Sequence, residues 1–291
     1  MKVNVIRHIV QCLIVALFLS PLWAESLLKI VPGEWLFFGT LASSTILGRV
    51  VLVDPFVTLE TIAASQQMPT PTMLMGVLTV LLFYGLVRGR VFCGWVCPVN
   101  LILELIEFMA HKVRALIHQK TGGGNDKSDP SSVSPWITKI SRRTKILISV
   151  GVLALCAVCG IPVFELVSPV GAVFRGLVLG AYLGIWTLLA IVLLELFFPG
   201  RLWCRKLCPL GGFYQAIGRF GFFSVKAKSG CIACNACKQV CIADPSILDP
   251  IIMDADVVVR SGDCMLCGKC LNVCPKNLLK IKPCIPLRRS R

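Results

Sequence analysis

The sequence predicts an all-α membrane domain of four transmembrane helices, built as two pseudo-repeats over residues 1–220, and a small α+β domain over residues 221–291. Hydrophobic residues make up 56% of the 291 residues and charged residues only 15%, whereas soluble domains carry about 25% charge. Four long apolar runs precede residue 200, and eight of the sixteen cysteines lie between Cys231 and Cys274. Disulfide scaffolds are also rich in cysteine, but they are usually short and secreted. A membrane protein with metal-ligating cysteines is therefore the better interpretation.

Each of the apolar runs approaches the roughly 20 residues that an α-helix needs to cross a bilayer. The runs cover residues 9–24, 68–87, 146–164 and 176–198. We expect the first run to be a retained span rather than a signal peptide, because no small-residue cleavage site clearly follows it. A further apolar stretch, residues 35–53, is interrupted by Gly39, Gly48 and Arg49. We expect this stretch to lie at the membrane surface or to re-enter the membrane partly.

The distribution of positive charge predicts the orientation of the chain. Of the 30 Lys and Arg residues, ten lie between the second and third runs and fifteen after Gly200, while Arg175 alone separates the third and fourth runs. Basic loops stay on the cytoplasmic side. Both termini and the central loop are therefore expected inside, in a multi-pass protein. The excess of positive charge is explained by this topology, so we do not expect nucleic-acid binding.

The central loop is expected to have two parts. Residues 101–117 have helical periodicity and carry basic residues, which predicts a helix along the inner membrane surface. From Thr121 to Pro135 the chain is rich in Gly and Ser, a composition typical of a flexible linker.

An internal repeat covers most of the predicted membrane domain. Residues 89–98 and 200–209 share the pattern Gly-Arg-x2-Cys-x3-Cys-Pro, at an offset of 111 residues. Earlier in each half, Leu-Val-Asp-Pro at residues 52–55 matches Leu-Val-Ser-Pro at residues 166–169. Two copies in the same orientation indicate a pseudo-twofold axis along the membrane normal.

The cysteines of the tail follow the pattern of bacterial ferredoxins with two clusters. Two runs of Cys-x2-Cys-x2-Cys-x3-Cys begin at Cys231 and Cys264, 33 residues apart. In this pattern three thiolates of a run hold one [4Fe–4S] cluster, and the fourth reaches the other cluster. A pair of zinc sites is the alternative, but zinc sites rarely show this spacing twice. We therefore assign one cluster to Cys231, Cys234, Cys237 and Cys274, and the other to Cys264, Cys267, Cys270 and Cys241.

The two Cys-x3-Cys-Pro motifs leave more than one interpretation open. On a helix, residues i and i+4 share a face, and repeat symmetry would bring four thiols together at the inner membrane surface. Such a group can hold a metal or a third cluster, or act as redox dithiols; packing of small apolar side chains is the plain alternative. The residues concerned are Cys93, Cys97, Cys204 and Cys208.

The chain resembles the NapH family, the membrane ferredoxin-type subunits of periplasmic nitrate reductase systems. The resemblance rests on the four apolar runs, the segment from Asp54 to Leu59, the paired Cys-x3-Cys-Pro motifs and the cysteines of the tail. It implies a protein of the bacterial inner membrane that takes electrons from the quinol pool. It also implies a NapG-like ferredoxin subunit and a NapC-like cytochrome c as partners on the way to an outer nitrate reductase.

Two classes of function stay open. The first is an electron-transfer subunit of a quinol dehydrogenase. The second is a protein for metalloenzyme maturation or redox sensing, similar to CcoG and MauN, in which the ferredoxin domain reduces the Cys-x3-Cys thiols or a metal held by them. A quinol releases protons as it gives up electrons, so ionisable groups near its site are expected. The candidates are Asp54, Glu60, Glu165, Arg175 and Glu195.

Overall fold

The computed structural model describes residues 2–23, 37–46, 50–121, 140–171, 173, 183–198, 200–228, 230–254 and 256–284. Most of the sequence predicted to be a linker, together with Arg175, lies outside these residues.

Helices form most of the described chain before Phe220. They are α1 (Lys2–Trp23), α2 (Pro55–Ser65), α3 (Pro71–Val87), α4 (Val91–Trp95), α5 (Pro98–Thr121), α6 (Thr144–Cys159), α7 (Val163–Val167), α8 (Leu183–Phe197) and α9 (Pro209–Ile217), with a π-helical turn at Trp203–Leu207 and a 3-10 turn at Gly218–Phe220. The helix expected over residues 101–117 is confirmed within α5.

Each of the four apolar runs contains a helix in the part of the chain that the structure describes, but these helices differ in length. Within the described residues, one helix is long and apolar enough to cross a membrane, and its apolar segment is Val3–Ser20 of α1. Helices α3, α6 and α8 are apolar and have 17, 16 and 15 residues respectively. The helical nature of the runs is thus confirmed, whereas four membrane spans stay a prediction.

A three-stranded antiparallel sheet corrects the prediction of an all-α membrane domain. Strands β1 (Phe37–Gly39), β2 (Ser43–Ile46) and β3 (Val50–Val53) pair in sequence order. The sequence of β3 is Val-Val-Leu-Val, and β-branched residues favour strands because they pack well on a pleated surface. The sheet packs on α3 at Gly76, where a side-chain Cβ would lie only 1.8 Å from the Val51 carbonyl oxygen.

The tail forms a small α+β unit, as expected. Strands β4 (Phe223–Ala227) and β5 (Leu279–Pro283) pair antiparallel, with Val225 opposite Ile281. Between them lie short helices, which are α10 (Ala236–Gln239), a 3-10 turn (Pro245–Leu248), α11 (Asp249–Ile252) and α12 (Lys269–Val273). A buried apolar cluster that includes Val225, Leu248 and Val259 forms the core of this unit.

A buried arginine helps to join the tail unit to the end of α3. The Arg88 guanidinium donates hydrogen bonds to the carbonyl oxygens of Val259 at 2.8 Å and Ser261 at 2.7 Å. It also donates to the carbonyl oxygen of Phe223 at 2.6 Å. Because Arg88 is 1% exposed, these bonds compensate the cost of burying its charge. They hold the tail against the residues that open the first Cys-x3-Cys-Pro motif.

Candidate iron–sulfur centres

The two Cys-x3-Cys-Pro motifs adopt related backbone conformations. Cys93 lies in α4 and Cys204 in the π-helical turn, and in each motif the proline begins the next helix. The amide of Cys97 donates to the carbonyl oxygen of Phe92 at 3.0 Å, and the amide of Cys208 to that of Trp203 at 2.8 Å. Each bond spans five residues, a wider turn than that of an α-helix. Each motif therefore departs from α-helical geometry directly before its proline, and the second cysteine of each motif lies between two helical segments.

All four thiols of these motifs line one cavity, which we call the four-cysteine cavity. Its cysteines are Cys93, Cys97, Cys204 and Cys208, and its wall also includes Arg90, Phe92, Pro169, Val170 and Met265. The structure thus brings together residues that are 111 positions apart, as the repeat suggests. Four thiolates are the usual ligand set of a [4Fe–4S] cluster, so the residues around this cavity fit such a centre.

The start of α2 lies close to the helix that follows the second motif. The Tyr214 hydroxyl, on α9, donates a 2.7 Å hydrogen bond to Asp54 Oδ2. The Tyr214 ring stacks on Phe92, with centroids 5.1 Å apart. Asp54 therefore lies close to Tyr214 and, through its ring, to Phe92 of the first motif. Pro169, the counterpart of Pro55 in the second half of the repeat, lines the four-cysteine cavity.

A buried charge network lies between the four-cysteine cavity and the tail. Asp263 accepts a 2.9 Å hydrogen bond from Arg90 and a 2.8 Å hydrogen bond from Gln215, and it also contacts the Lys145 ammonium. Arg90 donates in addition to the carbonyl oxygen of Cys204 at 2.8 Å. Asp263 has no exposed surface and is followed directly by Cys264. The network therefore connects both cysteine motifs to the tail.

The first cysteine set of the tail, here called the distal set, lines a second cavity. Its members are Cys231, Cys234, Cys237 and Cys274, and Ile251 and Leu279 lie at the same cavity. Cys231 and Cys234 are exposed. The set combines three cysteines of one run with the last cysteine of the other, so its donors fit a [4Fe–4S] cluster with crossed ligation.

The remaining four cysteines of the tail, the proximal set, lie in the apolar core of the same unit. They are Cys241, Cys264, Cys267 and Cys270. Burial raises the pKa of the Cys241 thiol, and the neighbouring Cys267 and Cys264 thiols raise it further. These groups are thus close enough to interact electrostatically. Iron would stabilise their thiolate forms, since a coordinating thiol is deprotonated. The donors of this set also fit a cluster.

The proximal set adjoins the four-cysteine cavity. Met265, the residue after Cys264, lines that cavity. It packs so closely on Gly94 that a Cβ there would lie 2.9 Å from the Met265 carbonyl oxygen. The next residue, Leu266, accepts a 3.3 Å hydrogen bond from the Trp95 indole. The three cysteine groups therefore follow one another in the order four-cysteine cavity, proximal set, distal set.

No group of three or more His, Cys, Asp or Glu side chains in the described ranges is arranged to hold a single metal ion.

Other residues proposed from the sequence have different environments. Glu195 accepts hydrogen bonds from the backbone amides of Leu202 at 3.1 Å and Trp203 at 2.9 Å, so it caps the π-helical turn. Glu60 is fully buried and accepts a 3.1 Å hydrogen bond from the Glu165 amide. The importance of Tyr214 and Asp263 was missed in the sequence. For Asp263 the only available signal was an acidic residue directly before a ligand cysteine.

A family model described as a 4Fe-4S binding domain matches two segments of the chain, residues 69–115 and 180–228. The segments begin 111 residues apart and contain Cys93 with Cys97 and Cys204 with Cys208. The match therefore falls on both halves of the repeat.

The chain is similar to curated ferredoxin-type proteins over most of its length. The methylamine utilization ferredoxin-type protein MauN of Paracoccus denitrificans is 37% identical over 235 residues, which is 80% of this chain and 76% of MauN. The ferredoxin-type protein NapH of Haemophilus influenzae is 31% identical over 278 residues, which is 94% of this chain and 87% of NapH. The NapH of Escherichia coli is 30% identical and covers 95% of this chain and 88% of its own length. No solved structure matches the chain.

Proposed function

Because the chain belongs to the family of ferredoxin-type iron–sulfur electron-transfer proteins that includes NapH and MauN, we propose that it is a membrane subunit of a quinol dehydrogenase. In this proposal it takes electrons from the quinol pool and passes them through iron–sulfur centres towards a periplasmic reductase.

One observation carries the proposal: the three cysteine groups follow one another without interruption. Met265 belongs to the wall of the four-cysteine cavity and is bonded to Cys264 of the proximal set. Cys241 of the proximal set comes from the run that supplies most of the distal set. [4Fe–4S] clusters held at these groups would accept and release single electrons. The chain would then provide a route from the membrane part to an exposed site at Cys231 and Cys234.

The surfaces of the apolar helices support a position in the bilayer. Large apolar side chains on α3, including Leu78, Leu82 and Phe83, are exposed. The same holds for Leu147 and Val150 on α6. Exposed apolar surface of this extent marks contact with a membrane or a partner. We propose that α1, α3, α6 and α8 meet lipid, with both chain termini in the cytoplasm.

The residues around the cysteines have defined roles in this proposal. Arg205 donates a 2.5 Å hydrogen bond to the Cys241 carbonyl oxygen and so holds the backbone at this cysteine in place. Arg90 places a buried positive charge beside the four-cysteine cavity, and positive charge favours the thiolate form of cysteine. Apolar residues such as Val170 and Met265 exclude water from the cavity.

The partners in this proposal are those that the resemblance to NapH implies. A soluble NapG-like ferredoxin would exchange electrons with the distal set, since Cys231 and Cys234 reach the surface. A NapC-like cytochrome c would complete the route to the outer side. Nitrate as terminal electron acceptor is part of the same proposal.

A maturation function is a second candidate. The MauN of Paracoccus denitrificans is 37% identical to this chain, a higher value than the 31% of the Haemophilus NapH. In this case the tail clusters would deliver electrons to the four-cysteine cavity, and a quinol would not be required.

Quinol-driven reduction of the purified protein distinguishes the two functions. We expect a quinol analogue to reduce the clusters, as seen by EPR, and iron and sulfide analysis to give complete [4Fe–4S] centres. The double variant Cys97→Ser with Cys208→Ser should lose quinol-driven reduction while both tail clusters stay visible after chemical reduction. Cys159→Ser is the matched control, because Cys159 is an exposed cysteine of α6 outside all three groups. Quinol-driven reduction at the same rate in the double variant would contradict the proposed route.

A further inference from the structure

The two halves of the repeat differ in chemistry on one side of the four-cysteine cavity. At the start of α2 the first half has Asp54, and the second half has Ser168 at the matching position. By the offset of the cysteine motifs, Tyr214 of the second half matches Leu103 of the first, and Tyr84 of the first matches Glu195 of the second. An aspartate and two tyrosines therefore come together at one of the two positions related by the repeat, whereas the other position has Ser168, Glu195 and Leu103.

Helix capping alone does not explain the acid at position 54. Asp54 Oδ1 accepts hydrogen bonds from the amides of Phe56 at 2.8 Å and Val57 at 3.4 Å, which is the role of an N-cap. Ser168 performs the same role in the other half, where its hydroxyl accepts from the Gly171 amide at 3.4 Å. Serine is as good a cap as aspartate. Asp54 differs from Ser168 in having a second oxygen, and this oxygen accepts a hydrogen bond from the Tyr214 hydroxyl.

The Asp54–Tyr214 pair lies close to the four-cysteine cavity and to the surface of α3. The Tyr214 ring stacks on Phe92, a residue of the cavity wall, with ring centroids 5.1 Å apart. Tyr84, on α3, packs edge-on against Tyr214, with ring centroids 5.4 Å apart. The Tyr84 side chain is partly exposed, next to the exposed Phe83. A flat aromatic molecule dissolved in the bilayer could therefore approach the pair beside Tyr84.

A second buried carboxyl group follows on the same helix. Glu60 is six residues after Asp54, which corresponds to about 9 Å along an α-helix. It is fully buried, and its Oε1 has no hydrogen-bond partner in the structure. A buried carboxyl oxygen without a partner is costly, so a functional reason is expected for it. A proton received from the direction of Asp54 would remove the negative charge of this buried group, so Glu60 is suited to hold a proton.

We propose that a quinol head group binds beside Tyr84 and that the hydrogen-bonded pair of Tyr214 and Asp54 takes up the protons it releases. This inference rests on the proposed quinol dehydrogenase function and names its substrate site. Oxidation of a quinol to a quinone releases two electrons and two protons. A [4Fe–4S] cluster held by the cysteines of the four-cysteine cavity would accept these electrons one at a time. Each proton leaves a quinol hydroxyl for Tyr214, whose own proton moves to Asp54, and Glu60 receives it before the next one follows.

The test replaces the acid without removing the cap. Asp54→Ser copies the cap of the other half, Asp54→Asn keeps nearly the same shape, and Tyr214→Phe removes only the hydroxyl. General base catalysis contributes about 10²–10⁴-fold to a rate, so we expect quinol-driven cluster reduction to fall at least about 100-fold in each variant. The clusters should give unchanged EPR spectra after chemical reduction. Ser168→Ala is the matched control, because it removes a cap but no acid, and it should keep the wild-type rate.

A measurement independent of turnover separates proton uptake from a structural role. Infrared difference spectra of the wild-type protein, recorded between its oxidised and quinol-reduced states, should contain a carboxylic acid band that Asp54→Asn removes. Wild-type rates and bands in both Asp54 variants would show that Asp54 is only a helix cap and overturn this inference. Failure of quinol to reduce the wild-type protein would instead overturn the proposed function, and this inference with it.

Discussion

Arg90 and Asp263 form a buried salt bridge across 173 positions of sequence, with 2.9 Å between Arg90 Nη1 and Asp263 Oδ1. Arg90 belongs to the first Cys-x3-Cys-Pro motif, and Asp263 directly precedes Cys264 of the tail. Both side chains are at most 1% exposed. This pair therefore fixes the position of the tail relative to the four-cysteine cavity.

Loss of the Asp263 carboxylate should destabilise the protein strongly. Asp263→Ala leaves Arg90 and Lys145 buried without a counter-charge, and breaking a buried ion pair costs about 3–5 kcal/mol. We expect a matching fall in the free energy of chemical unfolding in detergent. Asp256→Ala is the control, because it removes a partly exposed ion pair with Arg260, and such pairs contribute less than about 1 kcal/mol. Equal effects of the two substitutions would show that the buried network does not fix the tail.

Crossed ligation in the tail predicts which cluster a single substitution damages. Cys274 belongs to the second cysteine run but lines the cavity of the distal set. In Cys274→Ser we expect loss or conversion of the cluster held by Cys231, Cys234 and Cys237, with the proximal cluster intact by EPR. Cys241→Ser should have the reverse effect. If Cys274→Ser instead removed the signal of the proximal set, each run would hold its own cluster.

Glu104 should make stability depend on acid pH. Burial opposes its charged form, but hydrogen bonds from Arg7 and the charges of Lys269 and Arg201 lower the pKa of Glu104 to about 2. A carboxyl group with a lowered folded-state pKa stabilises the fold above its unfolded pKa. This stabilisation, about 3 kcal/mol in total, should decline below about pH 5 and be lost near pH 2.

The measurement is the unfolding free energy of the wild-type protein and of Glu104→Gln across this pH range. The wild type should lose stability on acidification more steeply than the variant. Parallel curves for the two proteins would exclude a contribution from Glu104.

Reporter fusions test the topology expected from the Lys and Arg distribution. Alkaline phosphatase fused after Lys120 or after Arg291 should be inactive, because both positions are expected in the cytoplasm. A fusion near Gln67, between α2 and α3, should be active. An active fusion after Arg291 would place the tail and its cysteines on the outer side and would overturn the proposed orientation.

The sequence by itself determined the features that depend on short spacing. Apolar runs predicted the helices α1, α3, α6 and α8, because a helix needs only a continuous apolar segment to be recognised. The two tail runs predicted a ferredoxin-type unit, since the cysteine spacing of such a unit is local. The matching motifs at residues 89–98 and 200–209 predicted that four thiols converge, because a repeat implies symmetry.

Only the tertiary structure decided how these parts meet. The sheet of β1, β2 and β3 was missed, because short strands in an apolar stretch have no periodicity that separates them from a buried helix. The contacts of Asp54 with Tyr214, of Arg90 with Asp263 and of Gly94 with Met265 join positions more than 100 residues apart. Such contacts leave no pattern in the local sequence, because they arise from the packing of separate elements. They nevertheless set the order of the cysteine groups and the polar side of the four-cysteine cavity.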